Sequence, residues 1–382
     1  MRREPIRTLD LFAGAGGLTA GLQAGDRRFR PACAVEIDRA AAATYALNHG
    51  GQIVDGAILS DVVRPVGIEQ WLDEGDVPSV DVVVGGPPCQ GFSTLGKQDA
   101  TDERNVLWRQ YARAVHAARP SYFVMENVPA FLTSPQYGVF LQELEEGGLL
   151  EDYSFEARIL NAADFGAPQA RKRVVVLGHR KGLPAPSFPT PTHGGAASHR
   201  SVREAFQGIR PAVTETDLPR RPIRFGDAAL MGPYETDELH VGRRYTDLSM
   251  ARFRSIPSGG NRFDLPDELL APCWRSHRSG SGDVMGRLRW DAPSVTVRTE
   301  FFKPEKGRYL HPTQHRAISH REAAVLQGFP ATYQWVGSKI AIARQIGNSV
   351  PIPLGAAIGI EIARAMDLIG RGGGAAGDAA AA

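Results

Sequence analysis

At 382 residues, with 42% apolar and 23% charged side chains, the chain has the makeup of an ordinary globular protein with room for two domains. No run approaches the roughly 18 continuous apolar residues of a transmembrane helix, and Met1-Arg2-Arg3-Glu4-Pro5 leads into no apolar signal region, so a cytoplasmic protein is expected. Three widely spaced cysteines (Cys33, Cys89, Cys273) and ten histidines without ligand spacing argue against disulfides or a metal site, and a net charge of +2 does not by itself imply nucleic acid.

Up to residue 183 the chain alternates strands and helices. A short apolar strand over residues 6–11 runs into Phe12-Ala13-Gly14-Ala15-Gly16-Gly17 and then a helix through Leu18 and Leu22. A second strand over 31–37 precedes an Ala-rich helix over 38–48, for which Asp38 is a suitable N-cap. Residues 80–84 form a strand apolar on both faces, as a parallel sheet covered by helices requires. A helix over 105–118 and strands over 121–125, 154–160 and 173–178 complete the pattern of a doubly wound, mostly parallel α/β sheet. From residue 184 prolines, arginines and polar residues dominate and periodicity fades. The expected division is a catalytic and cofactor-binding domain over 1–183 and a smaller, irregular domain over 184–314. Residues 315–370 return the chain to the first domain, with a capping box between Ser319 and Glu322 and a last helix over 351–369. The low-complexity stretch 371–382 is expected to be disordered.

The glycine turn resembles a dinucleotide fingerprint, but Thr19 stands where the third glycine belongs. Gly14 and Gly16 still allow close approach of the backbone to a ligand. Glu36 ends the second strand, 36 − 14 = 22 residues after Gly14, where an acid binds ribose hydroxyls. Asp61 is placed to accept from an adenine amino group. These parts suit a nucleoside ligand without a pyrophosphate, such as S-adenosylmethionine; a merely tight turn is the alternative.

Chemistry converges on one sheet edge. Pro87-Pro88-Cys89-Gln90 puts a thiol where a buried strand ends. Taken alone, Cys89 fits a small packing residue better than a nucleophile. Glu126 ends a neighbouring strand, either as a solvated carboxylate or as an acid that shares a proton with a base. In Gln169-Ala170-Arg171-Lys172-Arg173, strand alternation sets Arg171 and Arg173 on one face, able to orient Glu126 or bind a carbonyl oxygen or phosphate.

Together and in this order these residues resemble the cytosine-5 DNA methyltransferase family in its bacterial form. The resemblance rests on six segments: 10–17; Gly86-Pro87-Pro88-Cys89-Gln90-Gly91-Phe92-Ser93; Glu126-Asn127-Val128; Gln169-x-Arg171-x-Arg173; Arg321-Glu322 through Leu326-Gln327-Gly328-Phe329-Pro330; and Gln345-x-Gly347-Asn348-Ser349-Val350. It implies the fold of S-adenosylmethionine-dependent methyltransferases, with S-adenosylmethionine as cofactor, no metal, and a target-recognition domain over 184–314. Cys89 would attack cytosine C6, Glu126 would serve N3 and Arg173 would contact O2, on a base flipped out of duplex DNA. Phe12, Glu36, Asp61, Pro88, Leu107, Asn348 and Ser349 would contact the cofactor, together with the Gly14 and Gly16 turn. Ile37 stands where many relatives carry Trp. Gln90, Ser93, Arg262 and Thr296 are the implied DNA contacts. Arg243, Arg244, Arg252, Arg254, Arg262, Arg275, Arg278, Arg287 and Arg289 make the recognition region suited to phosphates and guanine edges.

The expected function is sequence-specific cytosine methylation by a monomer in a bacterial restriction-modification system, with a cognate restriction endonuclease as a functional but not a physical partner. A transfer-RNA cytosine methyltransferase, a catalytically silent DNA-binding relative and a nicotinamide dehydrogenase are the competing readings. The Arg-rich insert with Gly91-Phe92-Ser93, the intact Cys89, Glu126 and Arg173, and Thr19 weigh against them in turn.

Overall fold

A computed structural model describes residues 4–88, 107–194, 199–275, 280 and 282–377. Cys89, Gln90 and Ser93 lie outside the described residues. In chain order the elements are β1 (Ile6–Leu11), α1 (Gly17–Gly25), β2 (Phe29–Val35), α2 (Arg39–Asn48), β3 (Gln52–Val54), β4 (Ala57–Leu59), β5 (Val63–Arg64), α3 (Ile68–Glu74), β6 (Val82–Gly85), α4 (Leu107–Ala118), β7 (Tyr122–Asn127), α5 (Pro135–Gln142), β8 (Tyr153–Asn161) and β9 (Lys172–Arg180). They continue with α6 (Val202–Ala205), β10 (Pro222–Phe225), β11 (Ala228–Met231), β12 (Tyr234–Glu235), α7 (Asp247–Ser255), α8 (Pro272–Arg275), α9 (His320–Leu326), β13 (Gln334–Trp335), α10 (Lys339–Asn348) and α11 (Ile352–Gly377).

The main sheet has seven strands in the order β5-β2-β1-β6-β7-β9-β8. β5, β2, β1, β6 and β7 run parallel, and β9 is antiparallel to both neighbours. The sheet is therefore mostly parallel, as expected, and Val82, Val83 and Val84 are wholly buried at its centre. Register decides what meets at its edge. Leu11 pairs with Val35 and Gly85, Gly85 pairs with Met125, and Val174 at the start of β9 faces Asn127. The segments after β1, β2 and β6, the end of β7 and the entry to β9 thus share one edge.

Asp38 caps α2 as expected, accepting from the amides of Ala40 and Ala41, and Ser319 and Glu322 form the expected capping box on α9. β7 extends two residues past the expected end, so Glu126 and Asn127 pair with Val175 and Val174 instead of beginning a loop. The β3–β4 hairpin turns on Asp55-Gly56, both with positive φ (47° and 71°), the sequence signal of a two-residue hairpin. α11 continues to Gly377, through the start of the tail expected to be disordered from Arg371. Propagating a formed helix costs far less than nucleating one, even through the glycines of this stretch.

Residues 184–314 contribute to three packing environments. β10 pairs in parallel with β4, and Ile223 and Phe225 join a core with Tyr45, Ile58 and Val63. Phe206, Tyr234, Leu288 and Val297 share another core with Trp335 and Ile346. A separate small core contains Phe253, Ile256, Leu265, Met285 and Leu310. Among the described residues no helix is long and apolar enough to cross a membrane.

Candidate active site

Three residues after β1 adopt left-handed backbone: Phe12 (φ 55°), Gly14 (φ 54°) and Gly16 (φ 86°). At Gly16 a Cβ would lie 2.4 Å from His49 Nε2, whereas at Gly14 it would meet nothing within 4 Å. Gly16 therefore serves packing, and Gly14 opens a cradle above the turn. Glu36 spans this cradle. One carboxylate oxygen accepts from the Gly14 amide and the other from the Asp38 amide, each at 2.8 Å. Burial lifts the Glu36 carboxyl above its ordinary range despite these two N–H donors. Ile37 beside it is 71% exposed, an aliphatic side chain held in the open. Leu107, at the start of α4, and Pro88 are half-buried, Asp61 is exposed between β4 and β5, and Asn348 is exposed at the end of α10. Ser349 is buried and donates to the Gln345 carbonyl at 2.7 Å. Gly17 packs so tightly on Ser349 that a Cβ there would approach the Ser349 Cβ to 2.9 Å.

Beneath the turn lies a polar stack that the sequence reading did not find. Asp10 is buried and accepts from Thr19 Oγ1 at 2.6 Å; Thr19 also meets the Tyr45 hydroxyl at 3.1 Å. Tyr333 donates to the Ala15 carbonyl from the far end of the sequence. Burial raises the Asp10 carboxyl from 3.8 to about 7; the Thr19 bond opposes this and Glu36 adds to it. Because the folded state binds this proton more tightly than the unfolded chain, the Asp10 contribution to stability falls as pH rises from about 4 to 7. Carrying the charge above pH 7 costs up to about 4 kcal/mol. Asp10→Asn keeps an acceptor for Thr19 and removes the titration. Its stability relative to wild type, from urea midpoints, is expected to rise between pH 5 and pH 8; parallel profiles would refute the buried-acid account.

The opposite part of the edge carries an ion pair. Arg173 Nε lies 2.6 Å from Glu126 Oε1, and both side chains are 13% exposed. A Cβ on Gly86 would come within 3.0 Å of Glu126 Oε2. Asn127 Nδ2 donates to the Pro87 carbonyl at 3.2 Å, tying the end of β7 to the turn that precedes Cys89. Arg171 takes another of its expected roles, binding a carbonyl oxygen. It precedes β9, where the chain is bridged to Ser294, and it donates from Nη1 to the Val297 carbonyl at 2.9 Å instead of orienting Glu126. Burial, and then the neighbouring Arg173 charge, push the Arg171 guanidinium down to about 9.

Residues 184–314 correct one expectation. Arg287 is not a DNA-facing arginine: it is buried and donates to the carbonyls of Phe253, Ile256, His311 and Gln314. Arg308 likewise binds the carbonyls of Gly259, Gly260, Gly282 and Arg287. These guanidiniums satisfy backbone carbonyls of an irregular region that has few ladders to do so. Arg262 is buried with its guanidinium 4.7 Å from the Phe263 ring centroid, and Thr296 donates to the Ala170 carbonyl at 3.1 Å. Among the described residues no cluster of His, Cys, Asp and Glu is arranged to hold a metal ion.

Comparison with known proteins agrees with this geometry. The model of the C-5 cytosine-specific DNA methylase family matches residues 6–364. The Type II methyltransferase M.XorII of Xanthomonas oryzae is 35% identical over 94% of this chain and 84% of its own length. M1.HphI of Haemophilus parahaemolyticus is 33% identical over 92% and 84%, and M.HgiDII of Herpetosiphon aurantiacus is 30% identical over 94% and 95%. Among solved structures, one described as a prophage-encoded DNA modification methyltransferase (E. coli) superposes with a TM-score of 0.70 at 23% identity, covering 95% of this chain and 99% of that one. At that identity the likeness speaks for the fold.

Proposed function

The chain belongs to the C-5 cytosine-specific DNA methylase family and is a DNA cytosine-5-methyltransferase, and from that premise we propose that Cys89, Glu126 and Arg173 carry the reaction on a cytosine flipped out of duplex DNA. Cytosine C5 is a poor nucleophile. The Cys89 thiolate adds to C6, forming an S–C6 bond, while the Glu126 carboxyl at N3 relieves the charge that develops on the ring. C5 becomes nucleophilic and would take the methyl group as the donor's methyl–sulfur bond breaks, the electron pair of that bond passing to sulfur. Loss of the C5 proton to a base then drives elimination of the thiolate as the C5–C6 double bond re-forms. Arg173 fixes the Glu126 carboxylate and contacts the cytosine O2. Arg171 supports the pocket from behind through Val297. The observation that carries the reading is the Arg173–Glu126 pair beside Gly86, one turn of chain from the Pro87-Pro88 segment.

The family implies S-adenosylmethionine, which when bound supplies an electrophilic methyl group. The residues fit it. The space above Gly14 is open, the Glu36 carboxylate already faces it as an acceptor, and Ile37 offers an exposed apolar surface for a purine. Phe12, Gly14, Gly16, Glu36, Ile37, Asp61, Pro88, Leu107, Asn348 and Ser349 would hold the group, and the reaction as written needs no metal. Gln90 and Ser93 would contact DNA directly, with Arg262 and Thr296 shaping the surface that meets it. The recognition core is assigned to residues 245–310, around Phe253 and Leu310. On this reading the protein would act as a cytoplasmic monomer that modifies one short sequence, alongside a cognate endonuclease that it does not bind. Duplex DNA carrying 5-fluorocytosine at the target should trap a covalent adduct that survives denaturation, because fluorine cannot leave C5 as a proton does. Turnover of ordinary DNA without such an adduct would refute the mechanism.

A further inference from the structure

Two glutamines absent from the mechanism form an unbroken chain between its two halves. Gln169 and Gln327 are both completely buried. Gln169 Oε1 accepts from the Val297 amide at 2.7 Å, and its Nε2 donates to Gln327 Oε1 at 2.8 Å and to the Leu326 carbonyl at 3.3 Å. Gln327 Nε2 passes the chain on, donating to the Ile346 carbonyl at 2.6 Å and to the Ser349 carbonyl at 3.5 Å. A backbone N–H at one end and backbone carbonyls at the other admit only one orientation of each amide, so the chain has a single bonded arrangement.

Its ends abut the two functional halves. Residues 168–171 are zipped to 294–297: Ser294 N–H donates to the Pro168 carbonyl, Ala170 N–H to the Ser294 carbonyl, and Arg171 to the Val297 carbonyl. Arg173, the partner of Glu126, follows directly. At the other end Ser349 packs on Gly17 in the glycine turn. We propose that Gln169 and Gln327 are positioning residues that hold the base pocket and the methyl-donor pocket at a fixed spacing. The inference rests on the proposed function, since it needs Arg173 to serve the base and Ser349 to border the donor. Methyl transfer requires C5, the methyl carbon and the sulfur it leaves to be in line, and a misplacement of about 1 Å costs on the order of 100-fold in rate.

The experiment compares Gln169→Met, Gln327→Met and the double variant, which keep the volume and lose the bonds. Each single variant is expected to lower the single-turnover methyl-transfer rate about 10- to 100-fold at saturating DNA and S-adenosylmethionine. Equilibrium binding of S-adenosylhomocysteine should stay within about twofold of wild type, because neither amide touches the ligand. The double variant should be no slower than the slower single one, since either change breaks the same chain. A folded Gln327→Met that transfers methyl at the wild-type rate, even with a lowered melting temperature, would overturn the proposal. So would a double variant whose loss is the product of the two single losses. Should Gln169→Met not fold by circular dichroism, Gln327→Met decides by its rate and binding alone. A Glu126→Gln enzyme working at the wild-type rate would refute the base-pocket reading instead, a result independent of either glutamine.

Discussion

Methyl transfer to duplex DNA is expected to fall below detection when Cys89 is replaced by Ala, measured with tritiated S-adenosylmethionine. Without the thiolate, C6 is not attacked and C5 keeps too little electron density to take a methyl group. Binding of duplex DNA should survive, because the thiol's part is covalent. Glu126→Gln is the graded companion. Glutamine keeps an oxygen toward Arg173 Nε, which now sits 2.6 Å from the carboxylate, but it cannot pass a proton to N3. A loss of about 10²- to 10⁴-fold in kcat is expected, the usual range for a removed acid–base group. Residual activity in Cys89→Ala above that of Glu126→Gln would reverse the two assignments.

The second large effect is on stability. Arg316 and Glu322 form a buried bidentate pair, with Nη1 and Nη2 each 2.7 Å from a carboxylate oxygen. The Ser319 amide donates to the same carboxylate at 2.7 Å, and Arg316 also serves the carbonyls of Pro211 and Ala317. Glu322→Ala leaves the guanidinium charged, buried and without its counter-ion. A loss of about 3–5 kcal/mol is expected from urea denaturation, a large part of a typical domain's stability. Burial pushes the Glu322 carboxyl upward, but the Arg316 bonds and charge outweigh it and hold the group below its ordinary 4.5. The contribution is therefore fully present above pH 4.5 and lost only as pH falls through the lower folded value. Replacing both partners by apolar residues, Arg316→Met with Glu322→Leu, should restore much of the stability. A loss below about 1 kcal/mol in Glu322→Ala would show that water reaches the pair.

Much of this was legible from sequence, for identifiable reasons. The central strands announced themselves because burial on both faces demands continuous apolar runs, and the caps at Asp38 and Ser319 because local hydrogen bonds depend on local residues. The shared edge of Glu36, Glu126 and Arg173 followed from strand alternation and direction. What escaped was set by distant partners. Nothing near Arg171 foretells that Val297 will claim its guanidinium, and nothing near Arg287 foretells four backbone carbonyls. β10 looked like part of an irregular insert because its partner, β4, is a three-residue strand on the far side of the main sheet's sequence. Tyr333 reaches the Ala15 carbonyl in the glycine turn only because a late segment of the chain returns there.

That return has a consequence for the nascent chain. The glycine turn is translated long before its walls: Gly17 rests on Ser349 and Val350, Gly21 on Gly355, and Gly25 on Ala356. Arg28, just before β2, is held by Asp367 in α11 at 2.7 Å. A polypeptide still on the ribosome can complete its parallel strands while the glycine turn stands without a floor. A chain that stops short of α11 is therefore expected to leave the glycine turn without these packing partners, whatever else it has folded.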